Sequence, residues 1–453
     1  MDKVLDNGGT LSGCRCQAGI VPSFDFYNTP LVDASQSLVL EEEITPQNAL
    51  TVSPFELTIP AQPEAFVHLG SLTMSCKFKL VKKDGGTDIN AAWNVATINN
   101  PLVSLWQSIQ VRLNDIEVNA LSSQHMPYKA IINNLLSYSP SAAGQLETAG
   151  FQVEKGEEMD TTALTAQGLT QDGLNPAYVA RQKLVKGSKT YQVSGALPID
   201  FLSSDNHLAP GTKLTLLCHM ADPQFFLLGP DASKCRVKIT QLALHVRKLR
   251  LKPHLAQRLL RTSNKPQRYL APYSELKLLQ IPEGVSRWTL PVYSDDTDVQ
   301  PKQLIIGFVA TDAVHSFTHN PFNFEHFQLC HLAVRVGNES HPKSPLNPNF
   351  DKNWCAREFY RLGSQTGKVQ AGQSGQTLIT MSNFLHGHCL FPVDLCPDSC
   401  NSGHVHKARH GKCAIDVAWE APLTKAVTAI VYCHFDQIIT VGPGLGQVRS
   451  LLI

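Results

Sequence analysis

Residues 307–350 read GFVATDAVHSFTHNPFNFEHFQLCHLAVRVGNESHPKSPLNPNF and indicate a fold built from β-strands. The apolar run at 304–309 and the run at 329–336 are each typical of a strand, and a loop rich in Pro, Asn and Ser ends the second one. Between them lies NPFNFEHF at 320–327, where Asn before Pro favours an extended or turn backbone. Three Phe residues within six positions need an apolar surface on which their rings can pack away from water. The stretch therefore predicts two strands joined by an aromatic corner, with no nucleophile, general acid or cofactor cradle. We assign to packing, in the core or at a subunit interface, Phe322, Phe324 and Phe327.

Alternating apolar and polar residues mark further strands on both sides of this stretch. Residues 72–80, LTMSCKFKL, separate their apolar and polar side chains onto two faces, which predicts a strand with one wet face. The alternation at 235–246 slips by one residue at Thr240-Gln241, and such a slip indicates a β-bulge. Asn114-Asp115 ends another alternating run and tolerates the left-handed backbone of a hairpin turn. We expect further strands at 55–59, 195–202, 213–218, 275–281, 288–292, 377–381, 389–393, 413–419 and 426–435.

Helical signals are few and short. Residues 124–138 carry an apolar stripe that Ser139-Pro140 ends, and residues 253–260 begin with a proline, which suits the first turn of a helix. A third short helix is expected at 356–362. Residues 140–185 are polar and rich in Gly, Thr and Gln, so we expect a long surface loop there.

Length and charge limit the functions that the chain can have. At 453 residues it is too long for one ordinary core, so two or more domains are expected. The net charge is +1, which argues against a coat protein whose tail neutralises nucleic acid. The basic cluster at 247–252 is expected to be a solvated strand end; the alternative is weak, non-specific contact with an acidic neighbour or encapsidated nucleic acid. The sequence shows no transmembrane run and no signal peptide, so we expect folding in the cytosol or nucleus, with the cysteines mostly buried thiols.

Many short strands on each side of residues 253–265, with little helix, predict an all-β chain of two sandwiches or barrels in tandem. The eight-stranded jelly roll is the natural candidate in that class. We therefore predict two tandem eight-stranded jelly rolls with few short helices and long surface loops, although no direct sequence repeat relates the halves. The expected organisation is an N-terminal arm at 1–23, for which disorder is the equal alternative, a first roll at 24–252, a linker helix at 253–265, a second roll at 266–440 and a C-terminal tail at 441–453, in which the Gly-rich residues 442–446 are expected to be flexible.

The sequence also resembles the hexon-type double jelly-roll major capsid proteins of polintons, adintoviruses and adomaviruses. The resemblance rests on the aromatic corner, the strand after it and the PLNPNF that follows at 345–350. A set of collinear matches extends it over about residues 24–440: FYNTPL at 26–31, LND at 113–115, MPYKA at 126–130, LLSY at 135–138, IPEG at 281–284, CNSGH at 400–404 and VYCHFD at 431–436.

The resemblance implies a structural protein of a virion capsid, assembled in the nucleus or cytoplasm of a host cell. It implies homotrimers that form pseudo-hexagonal capsomers on the icosahedral shell of a double-stranded DNA virus. The implied partners are neighbouring capsomers and the penton and minor capsid proteins. The loop at 140–185 would form an outward tower, and the arm at 1–23 would lie at the base. No enzymatic activity, cofactor, membrane span or sequence-specific nucleic acid binding is expected.

Cysteine and histidine residues crowd one segment and make it a candidate zinc site, with Cys396, Cys400, His404, His406, His410 and Cys413 as possible ligands. The spacing of Cys396, Cys400 and His404 resembles that of zinc fingers only loosely. A redox-sensitive or simply exposed loop is the favoured interpretation, so we predict no metal.

Two other functions remain open. The first is a minor capsid or vertex protein, although such proteins usually need only one roll. The second is a metal-binding enzyme of the bicupin type, which needs His-x-His on a strand together with a carboxylate and a further histidine. His404-Val405-His406 is the one such pair on a plausible strand end, and no strand-borne Glu lies near it.

Overall fold

The computed structural model describes residues 36–452, except 52, 120–124, 165–172, 205, 261–264, 367–368, 371–372, 375–376, 397–406 and 443–447. The predicted arm at 1–23 and the predicted start of the first roll therefore lie outside the described residues. Within them, seventeen strands form four antiparallel sheets, two in each half of the chain, and four further strands of two residues each form two separate pairs.

The first half contributes eight strands to two sheets. Strands β1 to β8 span Gln36–Ile44, Phe55–Ile59, Ala65–Lys82, Trp106–Leu113, Ile116–Glu117, Tyr191–Ala196, Leu214–Met220 and Cys235–Leu251. Their order is β1-β8-β3-β6 in one sheet and β2-β7-β4-β5 in the other. The first and last strands of the half are thus neighbours, as in a jelly roll.

The second half repeats this arrangement. Strands β9 to β16 span Gln267–Ile281, Arg287–Tyr293, Gln303–Ala310, Leu329–Val336, Glu339–Leu346, Leu390–Asp394, Cys413–Trp419 and Val427–Val441. Their order is β9-β16-β11-β14 and β10-β15-β12-β13, so each strand occupies the position of the strand eight places earlier. The prediction of two tandem eight-stranded jelly rolls is confirmed, although no sequence repeat connects the halves.

The inner faces of the paired sheets form the core, as the alternation along the strands predicts. On β3, Leu72, Met74, Cys76 and Phe78 are at most 2% exposed, whereas the residues that alternate with them are partly exposed. The predicted bulge in β8 is confirmed by a register shift between Ile239 and Gln241. Asn114 and Asp115 have φ values of 47° and 69° and form the tight turn between β4 and β5.

Helices occupy connections between strands. Helices α1 to α4 span His125–Ser137, Pro176–Val185, Pro253–Leu260 and Ala356–Gln365. Shorter helical turns lie at Pro101–Ser104, Ala143–Leu146, Pro223–Phe226 and Met381–Leu385. Helix α3 lies between the last strand of the first roll and the first strand of the second. Within the described ranges, no helix is both long and apolar enough to cross a membrane.

The segment at 140–185 differs from the predicted surface loop. It leaves the sheets between β5 and β6, as expected, but it contains α2 and several helical turns. Phe151, Glu154 and Arg181 within it are at most 2% exposed. Part of its polar character comes from buried groups: Glu154 pairs with Arg181 and binds Asn320 of the second roll, whereas Lys155, Glu157 and Lys183 remain exposed.

Several local predictions differ from the structure. The strand expected at 195–202 is instead Tyr191–Ala196, followed by a helical turn at Asp200–Ser203. The C-terminal tail contains a strand at Val448–Leu452, here β17, which pairs with β16, whereas residues 443–446, expected to be flexible, lie outside the described residues. Instead of the expected loop, a tight turn follows β12 and leads into β13. Strand β13 contains Pro342 and Pro345, which are tolerated because it lies at the edge of its sheet. Residues 377–380 are not a strand; Thr380 instead caps the helical turn Met381–Leu385 by accepting a hydrogen bond from the Asn383 backbone N–H.

Candidate functional site

The two rolls meet along a seam with an aromatic centre. Tyr128 of α1 and Phe225 come from the first roll, and Phe322 and Phe324 come from the corner between β11 and β12. The ring of Tyr128 packs edge-on against Phe322 at 5.7 Å and against Phe225 at 5.9 Å between ring centroids. All four side chains are at most 2% exposed. Aromatic contacts of this geometry stabilise a junction beyond the area they bury.

Hydrogen bonds and close packing hold the aromatic corner in place. The side chain of Asn320 accepts a hydrogen bond from the Phe322 N–H at 3.0 Å, which sets the turn around the proline. Phe324 packs directly on Gly307, where an added Cβ would lie 2.6 Å from the ring. Phe324 also exchanges backbone hydrogen bonds with the segment around His388 at 2.9 and 3.0 Å. The corner therefore docks as a rigid unit.

Phe327 differs from the other two phenylalanines. It is half-buried, its φ is 47°, and the ammonium of Lys425 lies 5.2 Å from its ring. Phe322 and Phe324 thus belong to the seam between the rolls, whereas Phe327 lies at its margin.

Buried charges surround the aromatic centre. The Glu154 carboxylate accepts hydrogen bonds from Arg181 at 2.5 Å and from the Asn320 side-chain amide at 3.0 Å. Arg181, with no exposed surface, also donates to the Thr97 backbone oxygen at 2.9 Å. Asp160 accepts from the Asn320 backbone N–H at 2.6 Å. The segment at 140–185 therefore binds the corner of the second roll through carboxylates that the sequence presents as part of a polar loop.

A histidine of the second roll faces this acidic cluster. His388 is 4% exposed, and its Nδ1 has no hydrogen-bond partner among the described residues. Burial lowers the pKa of His388 to about 4, although the Glu154 carboxylate acts in the opposite direction. The imidazole is therefore neutral at pH 7.

A second polar cluster joins the rolls. Lys129 of α1 contacts the Asp200 carboxylate and donates to Ser274 Oγ of β9 at 2.9 Å. Ser274 in turn donates to Asp200 at 2.5 Å. Burial lowers the pKa of Lys129, and the neighbouring Asp200 opposes that shift.

Lysine, aspartate and serine side chains are used in nucleophilic catalysis, but the group of Lys129, Asp200 and Ser274 is closed to substrates. Ser274 is 1% exposed and Lys129 is 3% exposed, so a substrate could not reach the hydroxyl. The geometry supports a structural link between α1 and the first strand of the second roll.

The zinc candidates do not converge within the described residues. Cys396 is disulfide-bonded, and its sulfur is therefore not free to ligate a metal. His410 donates from Nδ1 to the Thr297 backbone oxygen at 2.9 Å, and Cys413 is buried in β15 with a pKa raised to about 12 by burial. Cys400, His404 and His406 lie outside the described residues. No group of three metal-ligating side chains occurs in the described part of the chain.

The basic cluster at 247–252 forms the end of β8. Arg247 contacts Glu41 at 2.7 Å and Lys248 contacts Glu42, so two of its charges are paired within the sheet. The cluster is a strand end, as expected, but it is only partly solvated, because Lys248 is 3% exposed.

Sequence reasoning missed most of the seam. It identified the aromatic corner and placed Tyr128 on a helix, but it did not single out Glu154, Asp160 or Arg181. Their signal was weak, because isolated charged residues between Gly- and Thr-rich stretches are typical of exposed loops. The pairing partners lie far away in sequence, and nothing in the local pattern identifies them.

Comparisons with known proteins agree with this architecture. A chain in the cryo-EM structure of the Sputnik virophage matches with a TM-score of 0.59 and 12% identity, covering 97% of this chain and 93% of that one. VP54 of PBCV-1 matches with a TM-score of 0.54 and 10% identity, covering 94% and 99%. The Faustovirus major capsid protein matches with a TM-score of 0.52 and 8% identity, covering 96% and 93%.

One curated relative is detectable from sequence. Uncharacterized protein F54H12.2 of Caenorhabditis elegans is 20% identical over 352 residues, which cover 76% of this chain and 79% of that protein. No family model matches the chain. The structural matches include both rolls, and they show that the chain has the double jelly-roll fold of hexon-like major capsid proteins.

Proposed function

We propose that this protein is the major capsid protein of an icosahedral double-stranded DNA virus and that three copies form a pseudo-hexagonal capsomer. The observation that carries the proposal is the pair of rolls with the same strand order, joined by a buried seam. The likeness to the Faustovirus major capsid protein along nearly the whole of both chains supports it.

The seam suits such a role because it fixes one roll against the other. Tyr128, Glu154 and Lys129 each contact residues of the second roll and are buried, so independent rotation of the rolls would expose aromatic rings and unpaired charges. Each copy contributes a fixed pair of rolls, so three copies around a threefold axis place six similar rolls in a ring. A closed ring of this kind is a common solution for identical subunits.

Assembly then proceeds in two steps. The trimer forms first, through the larger contacts between rolls of different copies. Weaker contacts between neighbouring capsomers, and contacts with penton and minor capsid proteins, build the shell of the virion. No chemical step is part of this function.

The first test is light scattering on the purified chain, with negative-stain imaging of the same peak. The expected result is a mass three times that of the chain and a roughly hexagonal outline from above. A monomer or a dimer at all concentrations overturns the proposal.

The two alternatives are distinguished by separate measurements. A minor capsid or vertex protein would be present in few copies per particle, whereas a major capsid protein is the most abundant protein of the particle. A bicupin enzyme would hold a metal ion in each chain, so metal analysis of the purified protein separates it from a capsid protein. Stoichiometric zinc in a monomeric protein would favour the enzyme.

A further inference from the structure

Two aromatic side chains of the second roll are largely exposed on a rigid support. Trp354 is 68% exposed and Tyr360 is 62% exposed, which makes them the most exposed aromatic residues in the described ranges. Trp354 exchanges two backbone hydrogen bonds with Asn349, at 2.8 and 3.1 Å, so the turn that carries it is fixed. Tyr360 lies one helical turn after Arg357 on the exposed face of α4.

Two cations complete this surface. The ammonium of Lys352 lies 4.8 Å from the Trp354 ring. Arg357 donates to the backbone oxygens of Ser344 and Pro345 at 3.0 and 3.2 Å, which holds its guanidinium in place. We call Lys352, Trp354, Arg357 and Tyr360 the aromatic–basic patch. Trp, Tyr and Arg are the residues most enriched where protein interfaces concentrate their binding energy, and preorganised side chains lose little entropy on binding.

A surface of opposite character lies on the first roll. Strand β1 is the edge of its sheet and pairs with β8 alone among the described strands. Leu38, Val39 and Leu40 are 44%, 46% and 42% exposed, and the exposed Glu41 and Glu43 follow them. An exposed apolar edge strand is a liability unless a partner covers it. We call residues 38–43 the apolar–acidic edge.

We propose that the aromatic–basic patch of one copy docks on the apolar–acidic edge of the next copy. This inference rests on the proposed function and assigns the surfaces that join the trimer. The rings of Trp354 and Tyr360 cover the apolar side chains of β1, while Lys352 and Arg357 face Glu41 and Glu43. Glu41 also contacts Arg247, but its side chain remains 74% exposed and thus open to a second cation.

The occupant is a second copy because the chain itself carries both complementary surfaces, one on each roll. A contact between two different surfaces of identical chains is head-to-tail, and a ring closes only when every copy uses both. Three such contacts leave neither surface exposed. A different partner protein would leave the edge of β1 or the aromatic residues uncovered.

A charge exchange tests the proposal. The variant Lys352→Glu with Arg357→Glu and the variant Glu41→Lys with Glu43→Lys are each expected to weaken trimerisation at least about tenfold in a dilution series followed by sedimentation. The chain that carries all four substitutions is expected to regain trimers, because the charges are again complementary. Circular dichroism and thermal melting check that each variant is folded.

Aromatic truncation provides an independent readout. Trp354→Ala with Tyr360→Ala is expected to weaken trimerisation at least about tenfold, since truncating such anchors usually costs the most. Trp288→Ala is the matched control, because Trp288 is 37% exposed and lies on strand β10, outside the aromatic–basic patch.

The outcomes separate this inference from the proposed function. A wild-type chain that never forms trimers overturns both. Wild-type trimers that persist unchanged in the charge-reversed or truncated variants overturn this assignment and leave the capsomer intact. Failure of the fourfold variant to recover trimers, with all variants folded, shows that the patch does not bind this edge.

Discussion

The hydroxyl of Tyr128 donates a hydrogen bond to the backbone oxygen of Pro321 at 3.1 Å, across 193 residues of sequence. The same tyrosine packs its ring edge-on against Phe322, the next residue. One side chain of α1 thus binds both the backbone and the side chains of the corner that follows β11. The aromatic corner serves the contact between rolls as well as the core of its own roll.

The hydroxyl and the ring of Tyr128 make separable contributions. Tyr128→Phe keeps the ring but leaves the Pro321 oxygen without its donor, so we expect a loss of about 0.5–1.5 kcal/mol in the free energy of unfolding. Tyr128→Ala removes the ring as well and should cost about 3–5 kcal/mol. Urea unfolding measures both. Tyr138→Phe is the control, because Tyr138 is 40% exposed and lies outside the seam and the aromatic–basic patch, and an equal loss in that variant would contradict the prediction.

Phe324 and Phe327 should respond differently to truncation. Phe324 has no exposed surface and fills the space above Gly307, so Phe324→Ala is expected to cost about 3–5 kcal/mol. Phe327→Ala should cost clearly less, because the ring of Phe327 is only half-buried. Thermal unfolding of the two variants side by side provides the comparison. Equal losses would mean that Phe327 is as much a part of the seam as Phe324.

The pair of Glu154 and Arg181 should show strong coupling. Glu154→Leu leaves the fully buried Arg181 guanidinium without its carboxylate, and we expect a loss of about 3–5 kcal/mol. The double variant with Arg181→Met removes both charges and should lose less than Glu154→Leu alone. The measurement is a double-mutant cycle from urea unfolding. Strictly additive losses would show that the two charges do not depend on one another.

Burial lowers the pKa of His326, His388 and His434 to about 4 each, so stability should fall as the pH is lowered through the range in which they gain protons. The contribution of His388 can be separated by mutation. Its pKa is about 4 in the folded protein and near 6.5 when unfolded, so between these values the unfolded chain binds the extra proton. The stabilisation is complete above pH 6.5 and is lost at about 1.4 kcal/mol for each pH unit down to about pH 4. The Glu154 carboxylate, which opposes the shift, is the charged group that faces the ring.

His388→Gln is expected to flatten this part of the pH profile of the unfolding midpoint. His254→Gln is the matched control, because His254 is exposed on α3. An unchanged slope in the His388 variant would show that another group causes the loss.

Local patterns were sufficient for much of the fold. The alternation along β3, the slip in β8 and the Asn114-Asp115 turn each depend on neighbours within a few residues, so the sequence reveals them. Strand β13 was not recognisable, because Pro342 and Pro345 oppose a strand unless it lies at an edge. Edge position is a property of the whole sheet and is absent from the local pattern.

The contacts of the seam could be predicted only in part. Three phenylalanines within six residues required a dry neighbour, but nothing near them identified Tyr128 as that neighbour. Glu154 and Arg181 look solvated in sequence, and their burial results from packing of the whole segment at 140–185 against the second roll. Such pairings depend on long-range topology, which propensity and periodicity do not contain.

The order of synthesis gives the seam a further consequence. The 193 residues that separate Tyr128 from Pro321 take roughly 10–40 s to translate at ordinary rates of about 5–20 residues per second. From the completion of β8 until Pro321 is made, the first roll presents Tyr128, Phe225 and the Glu154 carboxylate without the corner that covers them. A chain interrupted before residue 320 would leave these aromatic rings and this carboxylate exposed to solvent. Such exposure favours aggregation or recognition by chaperones. The first roll is thus fully covered only after the corner of the second roll has been made.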